Sequence, residues 1–196
     1  DLVYLHHCNF GKNGEYFDEA LDVLTKFKDQ GRLRFIGLSD WSNSRIMKYI
    51  KMCDPDVIQP YRNVMDDGFI ESGLCSYVDK NNLGVCFFSP IKHGLLTGKY
   101  DKPTSFEIGD HRSGVKDFAD QKVIDKMKQN KLLLEKRFAK HKYPVMRGLV
   151  DALFDDAKSG CVLLGQRNVN QVNVASTLGE PMDEKDSIWV KSLYRD

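Results

Sequence analysis

VCFFSPIKHGLLTGKY, residues 85–100, joins two kinds of sequence at a serine-proline step. Val85, Cys86, Phe87 and Phe88 form an apolar run rich in β-formers after a turn at Asn81, Asn82 and Gly84, which predicts a short buried strand. Pro90 cannot donate to a sheet ladder and restricts Ser89 before it, so the strand ends there. Beyond it come Gly94, Thr97 and Gly98 with the cations Lys92 and Lys99. Backbone N–H groups and ammonium groups converging at a strand end suit a phosphorylated ligand. On chemistry alone, an ordinary surface loop carrying lysines fits this stretch equally well.

Four further apolar runs read as strands: Leu2–His6, Arg34–Leu38, Asp56–Gln59 and Cys161–Leu164. Helical patterns follow them. Phe17, Ala20, Leu21, Leu24 and Phe27 make one stripe over 16–30, stopped by Gly31. Ser42 or Asn43 caps a helix with Ile46, Tyr49, Ile50 and Cys53 inward. Further helices are predicted near 70–80, over 121–141, from Pro144 through Leu153, and near 170–178 and 183–194. The polar segment 101–117 is too long for a simple connection. Strand and helix in alternation predict a parallel α/β sheet, and right-handed crossovers bring all strand C-termini to one face. His6 and His7, Ser39 and Asp40, Gln59 with Arg62 and Asn63, Ser89 with Lys92 and His93, and Gly165 to Arg167 all fall at those termini. In a barrel or a doubly wound sheet that face carries the site. The lack of a GxGxxG turn counts against the doubly wound form.

Composition excludes several classes. A length of 196 residues makes one domain the default, and 29 basic against 28 acidic residues leave a net charge of +1. Nucleic acid and anionic membranes therefore have no bulk electrostatic attraction to this chain. No apolar run approaches the ~20 residues of a membrane span. The five cysteines, Cys8, Cys53, Cys75, Cys86 and Cys161, show no CxxC or Cys/His spacing. They read as reduced thiols of a cytoplasmic protein, with no zinc site. The first residues lack the basic start and small-residue cleavage pattern of a signal peptide. Residue 2 already lies within an apparent core strand, as expected of a fragment or cut domain.

Four motifs, in order along the chain, resemble the aldo-keto reductase family. SPIKHGLLTGKY from Ser89 is similar to the family's SPLxxGLLTGKY loop. RFIGLSDWS from Arg34 resembles its GxS strand, DLVYLH from Asp1 its DLxxxH strand, and VLLGQRNVNQ from Val162 its final phosphate motif. The resemblance implies a (β/α)8 TIM barrel binding NADPH across its C-terminal face. This chain would supply the last five βα units, residues 1–196 forming a partial barrel below the ~250 residues usual for the fold. The family's catalytic tetrad is Asp, Tyr, Lys and His, and its first three members belong to strands without a counterpart here. His6 matches the histidine that orients the substrate carbonyl, and the fragment alone is expected to be inactive. Without the resemblance, a half-buried histidine closing a strand is the plainer reading. His7 points to the other face by strand alternation.

By the same resemblance, Ser39, Asp40 and Gln59 would meet the nicotinamide carboxamide, and Phe88 would stack on its ring or serve as an ordinary core aromatic. Asp40 departs from the usual Asn or Arg. Ser89, Pro90, Ile91, Lys92, His93 and Lys99 would line the pyrophosphate loop, and Arg112 would reach the adenosine phosphate. Gly165 would admit the ligand closely, with Arg167 and Gln171 on the 2′-phosphate, which favours NADP over NAD. Val174 and Ala175 replace the family's Glu-Asn pair at adenine. The implied reaction is hydride transfer from NADPH to a small aldehyde or ketone. The alternative is an NADPH-binding regulatory subunit like the potassium-channel β subunits, where the position of His6 is usually Asn. The oligomeric state is left open.

Overall fold

The computed structural model describes residues 1–157 and 159–195. Within them the chain forms two compact units, one made of Asp1–Arg62, Asp66–Phe88 and Ala157–Leu163, the other of Asn63–Met65, Ser89–Asp156 and the chain from Leu164 on.

The first unit holds the sheet. Strands β1 (Leu2–His6), β2 (Phe35–Asp40), β3 (Val57–Pro60), β4 (Gly84–Phe87) and β5 (Cys161–Val162) lie in that order. Every neighbouring pair is parallel, as alternating strand and helix require. One face carries Ile36, Leu38, Ile58, Val85 and Phe87, all buried. Against β2 pack α1 (Phe17–Asp29) and α2 (Asn43–Cys53), and α2 in turn meets α4 (Leu74–Asn81). The Ser42 hydroxyl caps α2 by accepting from the Arg45 N–H at 3.3 Å. The other face carries Tyr4, Gly37, Val57, Ser39 and Gln59 in matching register. Gly37 is required by space: the Tyr4 ring lies across it, and a Cβ there would also meet the Val57 carbonyl oxygen at 3.0 Å.

The second unit is built on α5 (Gln121–Arg137), α6 (Pro144–Met146), α7 (Val169–Ala175) and α8 (Glu184–Tyr194). Asp120, Asn168 and Asp183 cap α5, α7 and α8 by accepting from backbone N–H groups. Leu95, Leu96, Leu134, Leu149 and Val190 are fully buried in its core. Among the described residues no helix is long and apolar enough to cross a membrane.

Several boundaries differ from the sequence reading. The helix expected near 70–80 is two, α3 (Gly68–Glu71) and α4, divided at Gly73 with φ +79°. The helix expected from Pro144 through Leu153 keeps one turn and then widens into a π-helical stretch, Arg147–Asp151. Gly148 sits there under Leu134, where a Cβ would come within 2.6 Å of the leucine. β4 ends at Phe87, leaving Phe88 in a single bridge with Tyr61, and β5 has two residues where four are expected. The long polar segment contains two short 3-10 turns, His111–Gly114 and Lys116–Ala119.

Candidate active site

In the first unit, register sets His6 beside Ser39 and Ser39 beside Gln59, making a polar row at the C-terminal end of the sheet. His6 is exposed, with its ring 4.1 Å from that of His7. His7 adopts φ +62° and donates its backbone N–H to the Ser39 carbonyl at 2.8 Å. Ser39 is buried and donates its hydroxyl to Gln59 Oε1 at 3.2 Å. The pair presents donor and acceptor side by side, which is what a primary carboxamide needs.

Asp40 does other work. Its side chain is 1% exposed, and its two oxygens accept from the Cys8 and Ser42 backbone N–H groups, each at 2.7 Å. Arg45 stands 3.7 Å away. The carboxylate thus ties the exit of β1 to the start of α2, and its acceptor capacity is largely committed to backbone. Phe88 is half-buried and wedged between Trp41 (centroids 4.9 Å, 87°) and Tyr61 (5.7 Å, 73°). Sequence reasoning missed these two rings. Their signal is positional, an aromatic just after β2 and another just after β3.

In the second unit the loop after β4 is backbone-strained. Ser89, Lys92 and His93 have φ of +61°, +45° and +55°, a left-handed region costly for residues with a Cβ. The Ile91 carbonyl accepts from the Gly94 N–H at 2.9 Å, closing the turn after the buried Pro90. The Ser89 hydroxyl is buried without a hydrogen-bond partner. An orphaned buried hydroxyl in a strained loop is a place where a ligand would repair the polar balance. Two of the cations, however, already have carboxylates. Lys92 Nζ lies 2.5 Å from Asp117 and 3.5 Å from Met65 Sδ. Arg112 forks onto Asp110 at 2.5–3.1 Å, covers the Phe106 ring at 4.1 Å, and holds the Asp110 carboxyl well below the usual carboxylate range. Lys99 Nζ lies against Gly94, where an added Cβ would meet it at 3.1 Å. Burial, then His111 and Arg112, push the His93 imidazole below its ordinary value, with Asp110 opposing. Asp117, the partner of Lys92, is another residue that spacing could not reveal.

The segment 165–171 is assembled locally. Gln171 Oε1 accepts from the Arg167 backbone N–H at 2.6 Å, and its own N–H is capped by Asn168 at 3.0 Å. An added Cβ at Gly165 would meet nothing within 4 Å, so the fold does not demand glycine there and close ligand approach remains open. An unpartnered hydroxyl, ammonium groups and an open glycine suit phosphate, and the Ser39–Gln59 pair suits an amide. The phosphate-suited groups belong to the second unit and the amide-suited pair to the first. Among the described residues no three or more His, Cys, Asp or Glu side chains could jointly hold a metal ion.

The sequence model of the Aldo/keto reductase family matches residues 1–185. The L-glyceraldehyde 3-phosphate reductase of Escherichia coli (strain K12) is 26% identical over 179 residues, covering 88% of this chain and 51% of that protein. A protein of Arabidopsis thaliana named as a probable voltage-gated potassium channel subunit beta is 25% identical over 108 residues, covering 52% and 33%. Among solved structures, a glycerol dehydrogenase from Gluconobacter oxydans superposes with a TM-score of 0.78 at 26% identity, covering 98% of this chain and 57% of that one. This chain therefore spans about half the length of the curated relative it matches over most of its own length.

Proposed function

Because this chain belongs to the aldo/keto reductase family and carries a five-stranded part of that family's parallel barrel, we propose that the protein is an NADP-dependent oxidoreductase reducing the carbonyl of an aldehyde or ketone. The row His6, Ser39, Gln59 carries the reading, since it sets a carbonyl-orienting imidazole in line with a carboxamide-binding pair. NADPH, when bound, supplies the hydride. Ser39 and Gln59 fix the rotation of the nicotinamide through its amide, and Phe88, braced by Trp41 and Tyr61, offers the ring a flat apolar wall. His6 hydrogen-bonds the carbonyl oxygen and orients it as negative charge develops. Ser89, Lys92, His93, Lys99 and Arg112 serve the diphosphate side, with the backbone of Pro90 and Ile91 shaping the loop. Gly165, Arg167 and Gln171 serve the 2′-phosphate. In this reading Asp40 shapes the carboxamide pocket through Cys8 and Ser42 rather than by direct contact.

These 196 residues alone are proposed to be inactive, because the tyrosine acid of the family has no matched position in them. The five cysteines are free thiols, in keeping with a reducing compartment, and the cytoplasm is the proposed location. The test, made on the intact protein, is NADPH fluorescence on binding and NADPH oxidation with small aldehydes. His6→Ala is expected to lower turnover about 10²-fold or more while leaving cofactor affinity nearly unchanged. Lost affinity with surviving turnover would overturn the role of His6. A second reading, a cofactor-binding regulatory subunit, draws on the similarity to the Arabidopsis channel subunit. The imidazole at position 6 favours catalysis, and tight NADPH binding without turnover on a broad carbonyl panel would favour regulation.

A further inference from the structure

The row through His6, Ser39 and Gln59 runs on into two cysteines. Ile58 pairs with Val85, so the next step along both strands sets Gln59 beside Cys86, and the β4–β5 register pairs Cys86 with Cys161. Their Sγ atoms are 3.1 Å apart. Neighbouring strands place paired Cα atoms about 4.8 Å apart, inside the window of about 4.4–6.8 Å that a disulfide accepts. Closure to the bonded S–S length of about 2.05 Å thus asks for side-chain rotation and no backbone shift.

The two sulfurs are unequal. Cys161 is exposed and Cys86 is 8% exposed. Burial, with a further contribution from Cys161, pushes the Cys86 thiol up to about 12, so it stays protonated beside its neighbour. The Tyr4 phenol, raised to about 12 by burial and then by Cys86 and Cys161, faces the same pair. An exposed sulfur that meets the oxidant first, with a protected thiol in contact behind it, is the arrangement of an attacking and a resolving cysteine.

We propose that Cys86 and Cys161 are a redox-active dithiol that hydrogen peroxide converts to an intramolecular disulfide joining β4 to β5. The Cys161 thiolate attacks one peroxide oxygen, the O–O bond breaks, and hydroxide leaves and takes up a proton as water, giving a Cys161 sulfenic acid. The Cys86 sulfur then attacks the Cys161 sulfur, the S–O bond breaks, and the second oxygen leaves as water with the Cys86 proton. Two thiols lose two electrons in total, and one peroxide becomes two waters. A small dithiol reductant returns both protons and both electrons. The chemistry needs only these two thiols and stands apart from the oxidoreductase reading.

The test treats the full chain with hydrogen peroxide, alkylates the remaining thiols, and maps a non-reducing digest by mass spectrometry. The expected product has lost two hydrogens, contains a peptide pair linked through Cys86 and Cys161, and reverts with dithiothreitol. In Cys86→Ser the sulfenic acid at Cys161 should persist and react with dimedone, a reaction that wild type escapes by closing the bond. Dimedone labelling of wild type as extensive as that of Cys86→Ser would overturn the proposal, as would a link through any other cysteine. Should Cys86→Ser lose its circular-dichroism signature, the exposed Cys161→Ser replaces it. That variant should abolish the two-hydrogen loss, and persistence of the loss would equally refute the assignment.

Discussion

Replacing Asp40 with Asn separates a backbone-holding carboxylate from a ligand-binding one. The side chain is 1% exposed and accepts from two backbone N–H groups, Cys8 and Ser42, each at 2.7 Å. An asparagine keeps one acceptor oxygen but turns a donor NH2 toward the other N–H. One charge-assisted hydrogen bond is lost and a buried N–H is left facing a donor, a cost of about 1.5–3 kcal/mol. At ~2 kcal/mol, a chain of this length should melt about 4–8 °C lower. Urea titration of wild type and Asp40→Asn, with equal slopes and a lowered midpoint, is the direct measurement. NADPH affinity of the folded variant should fall little, because Ser39 and Gln59 supply the carboxamide contacts. A midpoint unchanged within error would refute this account of Asp40. So would full stability accompanied by a large loss of cofactor affinity, which would return Asp40 to direct contact with the ligand.

Other expectations are narrower. Asp117→Asn removes the carboxylate that holds Lys92 at 2.5 Å and should tighten NADPH about 3–10-fold, at 1.4 kcal/mol per tenfold; unchanged or weaker binding by a folded variant would show that Lys92 does not face the phosphates. Gly37→Ala drives a methyl into the Tyr4 ring and the Val57 carbonyl and should cost about 1–3 kcal/mol in urea unfolding, a loss absent if the sheet can yield there. His93, lowered by burial and by His111 and Arg112, binds its proton less readily in the folded chain than in the unfolded one. Stability should therefore fall as pH drops from about 6.5 through the depressed value. His93→Asn should flatten that slope between pH 7.5 and 5.5, and an unaltered slope would mean that another group carries it.

The polar row was legible in the sequence because parallel crossovers leave little freedom. Leu2–His6 and Phe35–Asp40 are apolar runs that end in polar residues, and parallel crossovers send those ends to one face. The loop at Ser89–Gly98 was likewise announced by its proline, its glycines and its place after an apolar run. Boundaries that depend on packing were not. The π-helical turn at Arg147–Asp151 contains Gly148, which lies close under Leu134, a contact across the chain that propensity does not register.

Local sequence determined that this chain forms a parallel α/β sheet, which residues stand at its strand ends, and what chemical types they offer. Side-chain pairing was decided only in the folded chain. Asp40, read as a carboxamide acceptor, turns out to hold backbone N–H groups. Lys92 and Arg112, read as open phosphate cations, are each met by a carboxylate, Asp117 and Asp110. Cys86 and Cys161 lie 75 positions apart and carry no motif, yet their sulfurs touch. Periodicity acts over a few residues and is written in the chain; the partner of a buried or charged group depends on three-dimensional proximity, which only long-range packing creates.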